Sequence, residues 1–487
     1  MSLDALVELI HTPGIRNWQE RAKTAHEKLF GAPDGRYPQD AQREITLRAP
    51  EIRDGVTFAA WIHHSNPTSG PYGGLSFVVF PNESGPALIG LVVGTAGLAP
   101  DEAILGRPGH ARKAQAICAW LNRRHPGELR AWAKQDPTRI DMDVPDEARR
   151  PFPEHRAAFK QYGRYIYAFY APAEDRQITR DAAAAFLDLL FQERGYEPLK
   201  AARQDAERIR NEWLRELLPA VSREQVVELL RRNRYVILQG PPGTGKTRMA
   251  RLLLKEEYKG IGRSIQFHPN TSYENFIGGL APEATTDHLG FRFKPAPGVL
   301  MEAAREALEH DNQNYLLHID EINRADLAKV LGEAIFLLET DPEAEREIEL
   351  PYDFGPPFHR RLRLPRNLHI LGTMNSADRS IALVDIAIRR RFAFLNLWPR
   401  PEVVEQHGSE PAQEAFRRLL GIFTEHASED AFNLMPGHAY FLEADKARTP
   451  ESLRVKLAPL LEEYLAQGYV TGFAEHVRAY LQWLKSL

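Results

Sequence analysis

The string Gly240-Pro241-Pro242-Gly243-Thr244-Gly245-Lys246-Thr247 lies between the short apolar run Tyr235–Gln239 and the helix-forming stretch Arg248–Tyr258. A GxxxxGK[ST] pattern has phosphate-binding meaning only between a strand and a helix, and both flanks are present here. Gly240, Gly243 and Gly245 let the backbone curl around a triphosphate, while amide N–H groups at the helix start face the anion. Lys246 brings a point charge to the outer phosphates, and the Thr247 hydroxyl is placed to coordinate Mg²⁺. Pro241, Pro242, Thr244 and Arg248 complete the expected nucleotide-binding set. Gly90–Gly97 is also glycine-rich, but no Gly-Lys-Ser/Thr follows it.

Tyr315–Glu321 reads as a second strand, ending in adjacent carboxylates. At the carboxyl end of a parallel strand these groups sit beside the phosphate loop, where Asp320 would hold the metal and its water shell and Glu321 would polarise an attacking water. A third strand, Leu368–Asn375, ends in an amide able to orient that water. Arg389, Arg390 and Arg391 follow the helix-like Ile381–Ile388. Such a cluster ordinarily ends a helix in favourable contact with its dipole. Where active sites lie between subunits, an arginine of this kind reaches a neighbour's γ-phosphate and raises turnover by roughly 10³–10⁵.

The order of phosphate loop, Asp-Glu pair, strand-terminal Asn and arginine cluster resembles the AAA+ family of ring-forming NTPases. Four strings are similar, within it, to the McrB-like motors of modification-dependent restriction systems: HPNTSYENFIGG (His268–Gly279), IDEINRADLAKVLGE (Ile319–Glu333), GTMNSADRSIALVDIAIRRRF (Gly372–Phe392) and PGHAYF (Pro436–Phe441). The resemblance covers roughly residues 220–470, with Ser376 standing where the family string has threonine. It implies an α/β P-loop AAA+ module, a parallel sheet with flanking helices and a C-terminal helical lid, preceded by an α+β N-terminal domain. It also implies that Asn375 is a sensor residue, that Asp378 and Arg379 lie at a nucleotide-facing subunit interface, that Arg390 and Arg391 supply the trans arginines, and that Arg454 is a second sensor. A homo-oligomeric, hexameric ring, a McrC-like nuclease subunit and DNA carrying modified, for example methylated, bases are implied as partners in the same way. McrB-like proteins characteristically use GTP. Nothing in the loop reads the base, so GTP and ATP both stay open. The rival reading is a MoxR- or dynein-like ATPase whose N-terminal domain grips a protein client.

The elements that must carry these residues follow from patterning. A chain of 487 residues has room for two to four domains at roughly 100–200 residues each. With 43% hydrophobic and 26% charged residues it is not a disordered chain. A net charge of −4 means that any polyanion site is local. The single cysteine, Cys118, excludes an intrachain disulfide or a multi-thiolate metal centre and fits a reducing cytoplasm. Asp4 and Glu8 interrupt the start where an export segment needs an apolar run, and none is expected. Pro86–Pro100, the longest uncharged stretch, is too short and glycine-rich for a bilayer-spanning helix, so no membrane partner is expected.

Residues 1–200 mix helical signals (1–30, His110–Trp132, Ile178–Gly195) with strand signals (Phe58–Ile62, Leu75–Phe80, Leu88–Val93, Tyr162–Tyr170) and read as an α+β recognition domain. A charged helical linker is expected at 201–220, the AAA+ core at 221–398 and the helical lid at 399–487. Arg107–Arg164 holds 13 basic against 7 acidic residues, with Trp120, Trp132, Tyr162, Tyr165 and Tyr167 interleaved. That composition leaves open a phosphate-gripping face with a base-stacking pocket, alongside plain core packing. His63 and His64 read as loop residues, since no Cys or acidic companion stands at ligand spacing. Glu257-Tyr258-Lys259, the best nuclease-like Glu-x-Lys match, falls at the end of the P-loop helix, so cleavage would belong to a partner.

Overall fold

A computed structural model of the chain describes residues 3–50, 55–284, 291–310, 312–339, 346–376 and 386–487. Two compact units emerge, Met1–Leu218 with Gly421–Ser428, and Pro219–Leu420 with Glu429–Leu487. Among the described residues no helix is long and apolar enough to cross a membrane.

The first unit is built on a six-stranded antiparallel sheet in the order Ile45–Arg48, Ala59–His63, Leu75–Phe80, Leu88–Val93, Ile166–Tyr170, Ala131–Ala133. Side chains alternate between faces of a strand, so the continuous apolar runs LSFVVF and LIGLVV serve two cores at once. Leu75, Phe77 and Val79 join one core with residues of the helices Asp4–His11, Pro108–Arg123 and Arg176–Gln192, while Val78 and Phe80 join another with Phe152 and Phe159. The aromatic segment 162–170 is only partly a strand. Arg156–Tyr162 is helical and the strand starts at Ile166, because Ala158 and Phe159 are buried on the sheet and their packing overrides the β-propensity of the neighbouring tyrosines. The charged helix Lys200–Leu214, in the stretch read as a connector, carries a stripe of buried Ala206, Ile209 and Trp213 and packs into this unit.

The second unit holds five parallel strands: β1 (Tyr235–Gly240), β2 (Gly262–Gln266), β3 (Tyr315–Asp320), β4 (Leu368–Asn375) and β5 (Ala393–Asn396). Their spatial order is β5-β1-β4-β3-β2. Tyr235, Ile237, Leu317 and Ile319 face one core, and Val236, Leu238, Leu316 and Leu371 the other, which Val226 and Leu230 of the helix Arg223–Asn233 complete. Ser222 and Gln225 close that helix's start as a capping box. Registers Asn375↔Gly240 and Ile319↔Gly372 align the carboxyl ends of β1, β4 and β3 at one edge, where ligands of open α/β sheets bind. The C-terminal part is helical. The run read as one helix over 451–465 is three pieces, Thr449–Ser452, a π turn at Leu453–Leu457, and Ala458–Ala466. Pro459 has no N–H for the carbonyl four residues back, and the ladder widens there.

Candidate active site

Strand β1 delivers the chain into the glycine-rich loop at Gly240, and the helix Lys246–Leu252 begins six residues on. Gly245, at the cap of that helix, has φ +86°, a left-handed conformation that a side chain would strain. Lys246 is buried, and its Nζ donates to the carbonyls of Gly240 (2.9 Å) and Pro241 (2.8 Å). Burial pulls the Lys246 ammonium down to about 8, against the opposing influence of the Glu321 and Asp320 carboxylates. Thr244, also buried, ties its hydroxyl to the Pro241 carbonyl at 3.0 Å.

The acidic strand end meets this loop. The Thr247 hydroxyl donates to Asp320 Oδ1 at 3.1 Å, and the Thr373 hydroxyl donates to the same oxygen. Glu321 follows with φ +52°, uncommon for a residue with a side chain, and its N–H points to Thr373 Oγ1 at 3.4 Å. Asn375 Nδ2 donates to Glu321 Oε1 at 2.7 Å, and Arg324 Nε lies 3.7 Å from Oε2. Lys246, Thr247, Asp320, Glu321 and Asn375 are therefore brought together at one edge of the sheet. Thr373 joins them and was not expected. Its only signal in the sequence is its place two residues before Asn375, on the same face of β4.

A second unforeseen partner is Pro436–Phe441. The amides of Gly437 and Ala439, at the start of the 3₁₀ turn His438–Phe441, donate to the carbonyls of Pro242 (2.9 Å) and Gly243 (3.0 Å) and brace the loop from outside. His438 Nδ1 accepts from the Arg400 N–H at 3.3 Å. Burial, helped by the charges of Arg400 and exposed Arg248, lowers the His438 imidazole to about 4 and keeps it neutral near pH 7. Ser376 gives its N–H to the Gly240 carbonyl and its hydroxyl to the Asn433 carbonyl, both at 3.0 Å. A threonine carries the same hydroxyl, which accounts for the exchange at this position.

The arginines separate. Arg389 lies over the Phe394 ring at 5.4 Å, and Arg391 Nη1 donates to the Ala387 carbonyl at 2.8 Å. Arg390 is exposed, and its guanidinium has no hydrogen bond or ion pair among the described residues. Arg454 stands exposed on the π turn, with no bond to the loop among the described residues. Asp378 and Arg379, with most of the helix read at 381–388, lie outside the described residues.

In the first unit, a cavity of about 600 Å³ is lined by Arg48, Phe58, Tyr72, Phe80, Tyr162 and Tyr165 among others. The Tyr162 ring meets Phe58 edge-on at 6.0 Å and Phe80 at 5.5 Å, and the Arg48 guanidinium lies over Tyr72 at 5.4 Å. The other aromatics of the expected stacking set are placed elsewhere. Trp120 and Tyr167 are core residues, bonded to Glu212 (3.1 Å) and His110 (2.7 Å), and Trp132 packs on Phe169. Part of the local basic excess meets carboxylates from outside the segment: Arg107 and Lys113 on Glu193, Arg123 on Glu216 and Arg124 on Asp181.

A phosphate loop after β1 of a parallel β5-β1-β4-β3-β2 sheet, facing an Asp-Glu pair and a strand-terminal Asn, defines an AAA+ nucleoside triphosphatase domain. Residues 235–392 match the AAA domain of the dynein-related subfamily. The chain is 34% identical over 269 residues to the "Type IV methyl-directed restriction enzyme EcoKMcrB subunit" of Escherichia coli K12, which is 51% of this chain and 57% of that one. It is 31% identical over 205 residues, 35% of this chain and 58% of the other, to the "Type II restriction enzyme BsuMI component YdiS" of Bacillus subtilis 168. The chain thus spans somewhat over half the length of the curated relatives it matches. Its likeness to the solved structure of NtrX from Brucella abortus in complex with ATP is slight, at 13% identity over 62% of this chain and 76% of that one with a TM-score of 0.26. The nucleotide-binding half is McrB-like.

Proposed function

We propose that this chain hydrolyses GTP or ATP with Mg²⁺ at a seam between copies of itself in a hexameric ring, recognises modified DNA through residues 1–200, and thereby licenses a McrC-like nuclease in the reducing cytoplasm. Residues 221–398 are the catalytic core of this scheme and 399–487 its lid. The observation that carries the reading is the double pairing at the strand ends, Thr247 with Asp320 and Asn375 with Glu321, beside a buried Lys246. The Thr247 hydroxyl and the Asp320 carboxylate are hard oxygen donors of the kind that Mg²⁺ takes. The ion, when bound, neutralises charge on the phosphates.

The chain's own groups do the rest. Lys246, with the loop amides and the neighbouring Pro241, Pro242, Thr244 and Arg248 fixing its setting, holds the outer phosphates. Glu321 takes the proton of the water that attacks the γ-phosphorus, and Asn375 fixes the carboxylate's orientation. Arg390, exposed and without a side-chain hydrogen bond or ion pair among the described residues, reaches the adjacent copy's γ-phosphate. Arg391 braces the turn that presents it, and Asp378 and Arg379 belong to the same interface. The names of the two restriction relatives support DNA as the target, and the aromatic cavity around Tyr162 and Tyr165 has the chemistry to stack a base.

Glu321→Gln tests the core of this reading. The variant should bind nucleotide with wild-type affinity and turn over at least tenfold slower, since a positioned base contributes roughly 10²–10⁴. Undiminished phosphate release would overturn it. For the first unit, Tyr162→Ala should weaken binding to a methylated duplex measured at two salt concentrations. An absence of DNA binding by wild type at low salt would favour a protein client.

A further inference from the structure

The antiparallel register of the first two strands in the first unit pairs Ile45 with His63, which sets Glu44 beside His64; the His64 N–H donates to the Glu44 carbonyl at 2.9 Å. In a continuing strand His63 and His64 would point to opposite faces. The strand ends at His63, however, and the chain turns there, with the Asn66 N–H on the His63 carbonyl at 3.1 Å. Both imidazoles therefore lie together, ring centroids 4.4 Å apart. Glu44 Oε2 is 3.0 Å from His64 Nδ1 and 4.0 Å from His63 Nε2, and one donor atom from each of the three residues lies within 4.8 Å of the others. The acidic companion that the local sequence lacks comes from Glu44, the last residue of the short helix Ala41–Glu44 that leads into the neighbouring strand.

We propose that Glu44, His63 and His64 form a binding site for a divalent first-row transition ion, with Zn²⁺ the best fit. Two imidazoles and one carboxylate are a three-protein-ligand set that leaves a fourth, solvent-facing position open. Bonds of about 2.0–2.1 Å to a tetrahedral ion require donor separations near 3.3 Å, between the two separations from Glu44 given above, so small side-chain rotations suffice. His63 Nδ1 accepts the Ser65 N–H at 3.2 Å and lies 2.8 Å from Ser65 Oγ, contacts that fix the ring with Nε2 turned toward Glu44. Arg194, a cation that acts on His63, is neutralised by Asp101 at 2.6 Å.

The ion would tie down the root of a loop that walls the aromatic cavity. Thr68, Ser69, Gly70 and Pro71 line that cavity, and Asn66 already bridges the two ends of the loop, from the His63 carbonyl to Gly73. The proposal concerns metal binding and stands whether or not the cavity takes a base.

The test uses the full chain, stripped with chelator and free of nucleotide, titrated calorimetrically with Zn²⁺ and followed with Co²⁺ by visible absorption. Wild type should bind one ion saturably and give the intense bands of four- or five-coordinate Co²⁺. His64→Ala and Glu44→Gln should each weaken binding by at least about tenfold and abolish those bands. Glu44→Gln keeps the side chain's shape, so it decides the matter if His64→Ala fails to fold. No saturable binding by wild type, or binding and spectrum unchanged in Glu44→Gln, overturns the proposal.

Discussion

Replacing Gly437 by alanine probes whether the Pro436–Phe441 segment holds the phosphate loop in its working shape. A Cβ at this position would lie 2.1 Å from the Gly243 carbonyl carbon, 2.2 Å from its oxygen and 2.4 Å from the Thr244 nitrogen. Relaxed contacts between carbon atoms are about 3.5–4.0 Å, so the two segments must part by more than an ångström. Every colliding atom is backbone, and no side chain can swing aside. The separation breaks the Gly437–Pro242 and Ala439–Gly243 pairings. Overpacking of this kind costs about 1–3 kcal/mol. If the loop yields, that cost comes out of triphosphate binding and weakens the Kd by about 5- to 150-fold, at 1.4 kcal/mol per decade. The assay is a fluorescent-nucleotide titration of wild type, Gly437→Ala and Gly472→Ala, with thermal melts alongside; a Cβ at Gly472 meets nothing within 4 Å. Only Gly437→Ala should lose affinity, with little change in Tm. Wild-type affinity in Gly437→Ala, whether or not its Tm falls, would refute the coupling between segment and loop.

Lys246→Ala should abolish triphosphate binding, and equilibrium dialysis with labelled nucleotide checks it. The same lysine predicts a pH dependence: its proton leaves near pH 8 in the free protein, and phosphate binding favours the ammonium, so affinity should be full below about 8 and fall by up to tenfold per pH unit above it. The linked effect on folding has the opposite sign. The unfolded chain keeps that proton to the ordinary 10.5, so the nucleotide-free protein gains stability between about 8 and 10.5, read from denaturant midpoints. Mixing Glu321→Gln with Arg390→Ala subunits should restore part of the activity that each lacks alone, because some seams then pair an intact base with an intact arginine; no recovery at any ratio contradicts an intersubunit site.

What the sequence made legible was local chemistry. The strand, loop and helix around Lys246 are contiguous, and Asp320, Glu321 and Asn375 could be placed because each ends an apolar run. The sheet edges were not legible. β2 (GRSIQ) is a short edge strand with half-buried and exposed side chains and no apolar run to mark it, and β5 (AFLN) is only four residues long. The aromatics of 120–167 share one composition yet divide between core and cavity, a division set by which face of the sheet the helix Arg156–Tyr162 covers. Most telling are the residues whose role exists only across strands. Thr373 meets Asp320 because the β3–β4 register is Ile319↔Gly372, and Glu44 meets His64 because Ile45 pairs with His63. A shift of one residue in either register would turn those side chains to the opposite face and dissolve both clusters. The information that builds them is therefore the alignment of strands in the folded sheet, fixed by apolar residues elsewhere in the same strands.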